Sequence, residues 1–474
     1  MEQRAAAILE KYSPQLIVPR DLTAGGRAAT LLFNPDITDG VTLRMTVHAL
    51  TKYEGKLTSA EQAAKEVLTA AEVKIADTPE EATATITDGD AALFIEGFRP
   101  IVVNARKYDK RAVTEPPSET VTRGPREGFI EELKTNLSLI ARRLRTEKLT
   151  VERLKTGRYS GTNVAVVYLD GVADPKIVQK ITERIRALDT DGVEDSFYIQ
   201  SVLEEHPYSI FSQIGMTEKP DIAVARLLEG RVAVVVDGSP TVLTVPYILP
   251  EDFQASEDYY ERHTLASFLR ILRYTAVVLA ILLPGFYVAV QVYHYDMIPL
   301  KFLVTLMNAV AGLPLTPLSE TLFVIILFEI IREAGVRMPR AVGMALSIVG
   351  ALVLGDTAVK AGLISSPSVM VVALSSIALY TVPKLVGTTS ILRLLMTLAG
   401  GLGGMYGLVV STVFLLLYLA GLDSYGAPYL APFAPLVRSD LKDALIRKPL
   451  GVLDTRPQSY PNVNRIRRKP WKKP

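Results

Sequence analysis

Apolar residues are spread unevenly along this chain, and that asymmetry constrains its fold more than any motif does. Tyr274–Tyr293 (YTAVVLAILLPGFYVAVQVY) runs for 20 residues without a formal charge. A helix rises about 1.5 Å per residue, so this stretch can cross a hydrocarbon core of about 30 Å. Pro284 near its middle predicts a kink that neighbouring helices can accommodate. Further apolar stretches follow at about 302–331, 341–363, 367–385 and 391–422. Water cannot hold that much apolar surface in one monomer, so the second half reads as membrane-embedded. Residues 1–273 are charged throughout and read as globular. The N-terminal MEQRAAAILEKYSPQL lacks a long apolar core, which predicts no signal peptide and places the soluble half in the cytosol.

Basic residues set the expected orientation. Arg270 and Arg273 precede the first span, Arg332, Arg337 and Arg340 mark a second basic side, and Lys384 with Arg393 a third. After Val437 the chain holds 11 Lys/Arg against three Asp, which reads as a cytoplasmic tail. An inside start and an inside end require an even number of crossings, yet five apolar stretches are visible. Either 391–422 bends back at Gly400–Gly404, or 302–331, interrupted by Glu320, Glu329, Arg332 and Glu333, is not a clean span.

The soluble half contains an internal echo. Ala28–Asp39 (AATLLFNPDITD) aligns with Asn163–Asp174 (NVAVVYLDGVAD), and Gly89–Gly97 (GDAALFIEG) with Gly230–Gly238 (GRVAVVVDG). In each copy a β-branched run leads through an acidic turn into a helix, and a strand–turn–strand closes the unit. Glu96-Gly97 and Asp237-Gly238 suit hairpin turns because glycine accepts positive φ. Asp174-Pro175 predicts a helix start, with Ile177, Ile181, Ile185 and Leu188 as its buried stripe. The expected class is α+β and α-helical membrane protein: two related cytosolic α/β subdomains followed by a polytopic α-helical transmembrane domain. The expected boundaries are subdomain 1 at 1–115, a connecting loop and helix at 116–149, subdomain 2 at 150–256, the transmembrane domain at 257–437 and a basic tail at 438–474. In the connector, Phe129, Leu133, Leu137, Ile140 and Leu144 form one helical face, read either as a contact to another subunit or as a plain surface helix.

Composition excludes several chemistries. With 52 Lys+Arg against 50 Asp+Glu, bulk charge does not point to nucleic acid. With no Cys there is no disulfide framework, thiol nucleophile or iron–sulfur site. His48, His206, His263 and His294 lack metal-ligand spacing, and Asp189–Asp195 misplaces its glycine for a calcium loop. No phosphate-binding loop is present, and the reading is of a protein that is not an enzyme and carries no cofactor or metal.

Charge within the apolar half is the sharper signal, because it is expensive in lipid and usually turns inward. Asp356 and Lys360 share a helical face, as either a polar lining of an ion path or a self-neutralising pair. Glu320 and Glu329 lie nine residues apart, so at about 100° per residue they point to opposite faces. One of them facing a shared axis would form a carboxylate ring in an oligomer, a cation-selecting device. Glu320, Glu329, Asp356 and Lys360 are therefore the pore or gating candidates. Gly400 with Gly404, and Gly403 with Gly407, have small-xxx-small spacing for close helix packing, within the subunit or between subunits. Arg465–Lys473 with Trp471 reads either as a lipid-headgroup contact or as a solvated tail.

Several motifs in order resemble one family. RGPREGF (Arg123–Phe129) followed by ARRLR (Ala141–Arg145), YLDGVADP (Tyr168–Pro175), TEKPD (Thr217–Asp221), LLEGRVAVVVDGSP (Leu227–Pro240) and EDYYER (Glu257–Arg262) resemble the A-subunit family of bacterial spore germination receptors, the GerA type. REAGVRMP (Arg332–Pro339) and SYGAPYLAPFAP (Ser424–Pro435) extend the resemblance into the membrane half. It implies a multi-pass subunit of a nutrient-sensing receptor in the spore inner membrane. Its partners would be a transporter-like B subunit that binds the nutrient and a lipoprotein C subunit. It would self-associate as a ring, with a pentamer the size the resemblance implies, that passes cations when the germinant binds. Two alternatives stay open: a non-conducting scaffold for the transporter-like subunit, and a sister-branch accessory protein associated with dipicolinate release.

Overall fold

The computed structural model describes residues 17–68, 72–105, 116, 119, 121–339 and 355–467. They divide into two compact units. One comprises residues up to Tyr247 together with Asp423–Ala427 and the segment from Pro449 onward; the other comprises Ile248–Leu422 and Pro428–Lys448.

The first unit contains two five-stranded sheets. The first is built from β1 (Val18–Ala24), β2 (Arg27–Phe33), β3 (Val73–Ile75), β4 (Ala91–Ile95) and β5 (Ile101–Val103), with helices α1 (Gly40–Lys52) and α2 (Pro79–Ala84). After α3 (Leu133–Arg143) come β6 (Leu149–Thr156), β7 (Thr162–Leu169), α4 (Pro175–Arg186), α5 (Ser196–Leu203), β8 (Gly215–Thr217), α6 (Pro220–Leu228), β9 (Val232–Val236) and β10 (Val242–Val245). The sheet orders are β1-β2-β4-β5-β3 and β6-β7-β9-β10-β8, the same topology twice. β2 and β7 start 135 residues apart, as do α1 and α4, whereas β4 and β9 start 141 apart, as do α2 and α6. The echo read in the sequence is thus a repeated fold, with a six-residue length change between the α1–α2 and α4–α6 segments and a longer loop in the β6–β7 hairpin than in β1–β2.

Pairing is antiparallel throughout these two sheets. This corrects the expected α/β character: each subdomain is an α+β unit with helices on both faces of an antiparallel sheet. The period-two alternation of each strand explains this layering. In β4, Ala91, Leu93 and Ile95 join the core with Leu43 and Leu50 of α1, while Ala92 joins the opposite core with Ala82 of α2. In the second sheet Val232, Val234 and Val236 pack with Ile177, Ile181 and Ile185 of α4, and Ala233 and Val235 with Leu137 and Ile140 of α3 and Leu227 of α6. α4 starts as its sequence dictates: the Asp174 carboxylate accepts from the Lys176 N–H at 2.9 Å, and Pro175 takes the first position. Gly97 and Gly238, at φ 82° and 89°, turn the β4–β5 and β9–β10 hairpins.

Three expectations for this region change. α3 is neither a connector facing another subunit nor a surface helix. Leu133, Leu137, Leu139 and Ile140 are buried in the second subdomain's core, and Arg142 and Arg143 both bind Glu127 of the RGPREGF loop at 2.7 Å. The segment expected as one basic tail at 438–474 is divided: residues to Lys448 belong to the helical unit, and those from Pro449 return to the sheet unit. There Tyr460 is buried beneath the Arg231 guanidinium, 3.8 Å from its ring centroid, and the Val463 N–H donates to the Val172 carbonyl. Residues after Arg467, Trp471 included, lie outside the described residues. The division between units falls after Tyr247 rather than after Ser256, because Leu249–Phe253 packs with Tyr274 and Val277.

The second unit comprises α7 (His263–Tyr293), α8 (Leu300–Val310), α9 (Pro317–Arg337), α10 (Ser366–Leu379) and α11 (Val386–Gly421), with residues 355–360 also helical. Residues 340–354, most of the expected 341–363 stretch, lie outside the described residues. The 302–331 stretch is broken: Gly312 at φ 79° ends the segment after α8, and Thr316 caps α9 with Pro317 at its first position. In α11, Gly404 at φ 60° and ψ −149° interrupts the helix, so its 36 residues form two helical segments. His263–Tyr293 and Pro383–Gly421 are long and apolar enough to cross a membrane by length and composition.

Candidate functional site

The helical unit buries a set of charged and hydroxyl-bearing side chains that its apolar sequence could have avoided. Near the start of α7, Arg270 is fully buried and bonds Asp258 at 2.9 Å and Asp443 at 3.1 Å. Arg273 also reaches Asp258, at 3.0 Å. Two guanidiniums meet two carboxylates, so the group is charge-balanced. The sequence presents Arg270 and Arg273 as orientation-setting charges; their pairing gives Asp258 of EDYYER a structural reason to be there.

Deeper in the unit, Glu329 of α9 lies between two cations. Its Oε1 accepts from Arg393 of α11 at 2.6 Å, and its Oε2 pairs with Arg332, one turn along α9, at 2.6 Å. Arg393 is buried and also donates to Ser376 at 2.9 Å and Ser375 at 3.3 Å on α10; Arg332 donates to Ser390 of α11 at 2.7 Å. One carboxylate and two guanidiniums leave this group one positive charge in excess. Arg393 is therefore not the basic-side marker that its sequence position implied. It ties three helices together, and a lone arginine within the 391–422 apolar stretch was the signal available for finding it.

The remaining candidates separate. Glu320, 1% exposed, accepts from the Ser365 N–H at 2.5 Å and the Ser365 hydroxyl at 2.6 Å. It thereby places negative charge at the N-terminus of α10, where the helix dipole favours it. Asp356 and Lys360 bond each other at 2.6 Å, with side chains 55% and 74% exposed. Glu320 and Glu329 do not meet, and neither joins Asp356.

The glycines divide by face. A Cβ on Gly400 would stand 2.3 Å from the Gly285 carbonyl oxygen, and one on Gly401 2.4 Å from the Leu318 side chain, so α11 packs closely on α7 and α9. Gly403 faces open space. Gly404 lies against the Tyr293 ring, and a Cβ on Gly407 would meet the Ala399 carbonyl. The Tyr293 hydroxyl donates to the Gly401 and Leu402 carbonyls at 3.1 and 3.2 Å, satisfying acceptors that the break at Gly404 exposes. Tyr293 escaped sequence reasoning because a tyrosine ending an apolar span looks like an interface anchor.

Comparison with known proteins places these features in context. The family model described as Bacillus/Clostridium GerA spore germination protein matches residues 6–459. The chain is 38% identical over 407 residues to the uncharacterized membrane protein YfkQ of Bacillus subtilis strain 168, covering 85% of this chain and 79% of that one. It is 37% identical over 382 residues to spore germination protein KA of the same organism, covering 80% and 70%. With spore germination protein A1, also from that organism, identity is 30% over 457 residues, covering 96% and 94%. Among solved structures, the N-terminal domain of the A subunit of the Bacillus megaterium spore germinant receptor GerK3 aligns with 52% of this chain and 95% of its own, at 26% identity and a TM-score of 0.41.

Proposed function

Because the chain belongs to the GerA family of spore germination proteins, we propose that it is the A subunit of a nutrient-sensing germination receptor. The observation that carries this reading is the family match over residues 6–459, which takes in both structural units. In this reading the helical unit lies in the spore inner membrane as a multi-pass domain, with the sheet unit on the cytosolic side. The subunit assembles with a transporter-like B subunit and a lipoprotein C subunit, and copies of it form a ring that passes cations when germinant binds. Ligand binding opens such a ring only if the open packing binds it more tightly than the closed one. Asp356 and Lys360 support a polar path, since they carry exposed charge beside the apolar helices of this unit.

A second reading, a scaffold that conducts nothing, draws on Glu320 and Glu329. Both are engaged inside the chain rather than presented outward. Planar-bilayer recording of the complex separates the two: germinant-dependent cation current supports the channel, and its absence with partners and germinant present supports the scaffold. Glu329→Gln and Asp356→Asn then test which carboxylate the current senses.

A further inference from the structure

Three helices bring oxygen atoms together beside Glu320 in an arrangement that internal hydrogen bonding leaves incomplete. The Tyr287 hydroxyl of α7 lies 3.5 Å from Ser368 Oγ of α10, which lies 3.4 Å from Thr321 Oγ1 of α9. Hydroxyl pairs normally close to about 2.5–3.0 Å, so these oxygens face one another without forming ordinary bonds. The Thr321 proton is already given to the Pro317 carbonyl at 2.8 Å, which leaves lone pairs directed elsewhere. Gln291, one turn along α7, and Ser365 both interact side chain to side chain with the Tyr287 hydroxyl. Both amide atoms of Gln291 are closed off from solvent, and neither comes within ordinary hydrogen-bond distance of a partner. A buried amide left in that state calls for a missing polar partner. Glu320, Thr321, Ser365 and Ser368 are each 0–1% exposed. The two bonds from Ser365 both go to Oε1 of Glu320. Glu329, by contrast, holds two guanidiniums.

The donor set consists of oxygens and carries one formal charge. A divalent cation would need six to eight oxygens and usually several carboxylates. A cation ligated at about 2.4 Å holds neighbouring oxygens about 3.4 Å apart in an octahedral shell. That is the spacing found from Tyr287 through Ser368 to Thr321. We propose that Glu320, Tyr287, Thr321, Ser368 and the Gln291 carbonyl form a binding site for a sodium-sized monovalent cation within the helical unit. The bound ion neutralises Glu320 and ties α7, α9 and α10 together. This goes beyond the receptor reading and does not depend on conduction.

The test is the unfolding midpoint of the full-length chain in detergent, in sodium chloride against choline chloride at equal ionic strength. A ligand that binds only the folded state raises the midpoint in a concentration-dependent way. Sodium should therefore stabilise the protein relative to choline, and potassium should do so less. Tyr287→Phe and Gln291→Leu should each raise the half-effective sodium concentration about tenfold, a change worth about 1.4 kcal/mol per site. Glu320→Gln should abolish the effect, and Glu333→Gln, at an exposed ion pair on the same helix, should keep it. If Glu320→Gln does not fold, Tyr287→Phe and Gln291→Leu decide. Equal midpoints in sodium and choline, as a water molecule at the site would give, overturn the proposal. A sodium effect unchanged in Tyr287→Phe and Gln291→Leu overturns it as well. No current is measured, so the outcome is independent of whether the chain is a channel.

Discussion

Gly285 of α7 and Gly400 of α11 cross backbone to backbone, so that a Cβ on Gly400 would sit 2.3 Å from the Gly285 oxygen and one on Gly285 would sit 2.4 Å from the Met396 oxygen. The obstacle at each position is main chain, which cannot rotate away. Gly400→Ala should therefore force the helices apart and destabilise the helical unit by about 1–3 kcal/mol or more, the usual scale of overpacking. Gly403→Ala, which meets open space, should raise the unfolding midpoint in detergent slightly through helix propensity. Equal losses in the two variants would contradict this packing.

The Glu329 group makes an asymmetric prediction. Removing Arg393 by Arg393→Gln leaves Glu329 paired with Arg332 and the local charge at zero. Removing the carboxylate by Glu329→Gln leaves two guanidiniums close together with serine hydroxyls as acceptors. Breaking a buried pair so that charge is left uncompensated costs about 3–5 kcal/mol. Glu329→Gln should approach that loss, while Arg393→Gln should lose less, about 1–3 kcal/mol. Thermal unfolding of the two variants ranks them, and the reverse order would show that Arg332 does not stabilise Glu329.

What was legible in the sequence was what is periodic or local. The strand pair Arg27–Phe33 and Thr162–Leu169 carries its own alternation, and the α4 start is written in Asp174-Pro175. What could not be read is long-range. Arg393 finds Glu329 across 64 residues, and Tyr460 finds Arg231 from the far end of the chain. Neither partner has a local pattern that marks it. The α3 stripe was visible, but its destination was not, because one apolar helical face packs equally well on a neighbouring subunit or on the chain's own sheet. The β4–β5 and β9–β10 hairpins were legible in Glu96-Gly97 and Asp237-Gly238, but the antiparallel pairing of β2 with β4 and of β7 with β9 was not, because a helix between two strands does not by itself fix their relative direction.

Tyr425 occupies a backbone conformation that side chains rarely adopt, φ 50°, in the turn Asp423–Ala427 that belongs to the sheet unit. Its hydroxyl donates to the Leu203 carbonyl at 2.9 Å, its N–H donates to Glu205, and its ring lies under Lys180 and Arg184. Burial pushes its phenol up to about 12 from the ordinary 10.0. The folded state thus holds a proton that the unfolded state has released. Stability from this group is full below pH 10, falls as pH rises above it, and is lost through about pH 12. Tyr425→Phe should cost about 0.5–1.5 kcal/mol at neutral pH for the lost hydrogen bond. It should also flatten the alkaline decline relative to the native chain, which denaturant titrations at a series of pH values would show.

Asp36 and Arg153 pair side chain to side chain, joining the turn after β2 to strand β6 of the other subdomain. Asp36 is buried and Arg153 is more exposed, and the burial outweighs the guanidinium, so the carboxyl is held above its ordinary 3.8. The folded state then binds a proton more readily than the unfolded chain. Relative to neutral pH, this group favours the folded state as pH falls toward 3.8, and its ionised form is the costly one. Asp36→Asn should therefore be nearly neutral, within about 1 kcal/mol, because the charge it removes was poorly compensated. Arg153→Ala should be worse, about 1–3 kcal/mol, because it strands a buried carboxylate. That deficit should shrink on acidification as Asp36 takes up its proton. Denaturant unfolding of the two variants at neutral pH and near pH 4.5 reads both effects. A loss in Asp36→Asn that is larger at neutral pH than near pH 4.5 would mean that Asp36 is stabilised as a carboxylate and that the pair is a net favourable bridge.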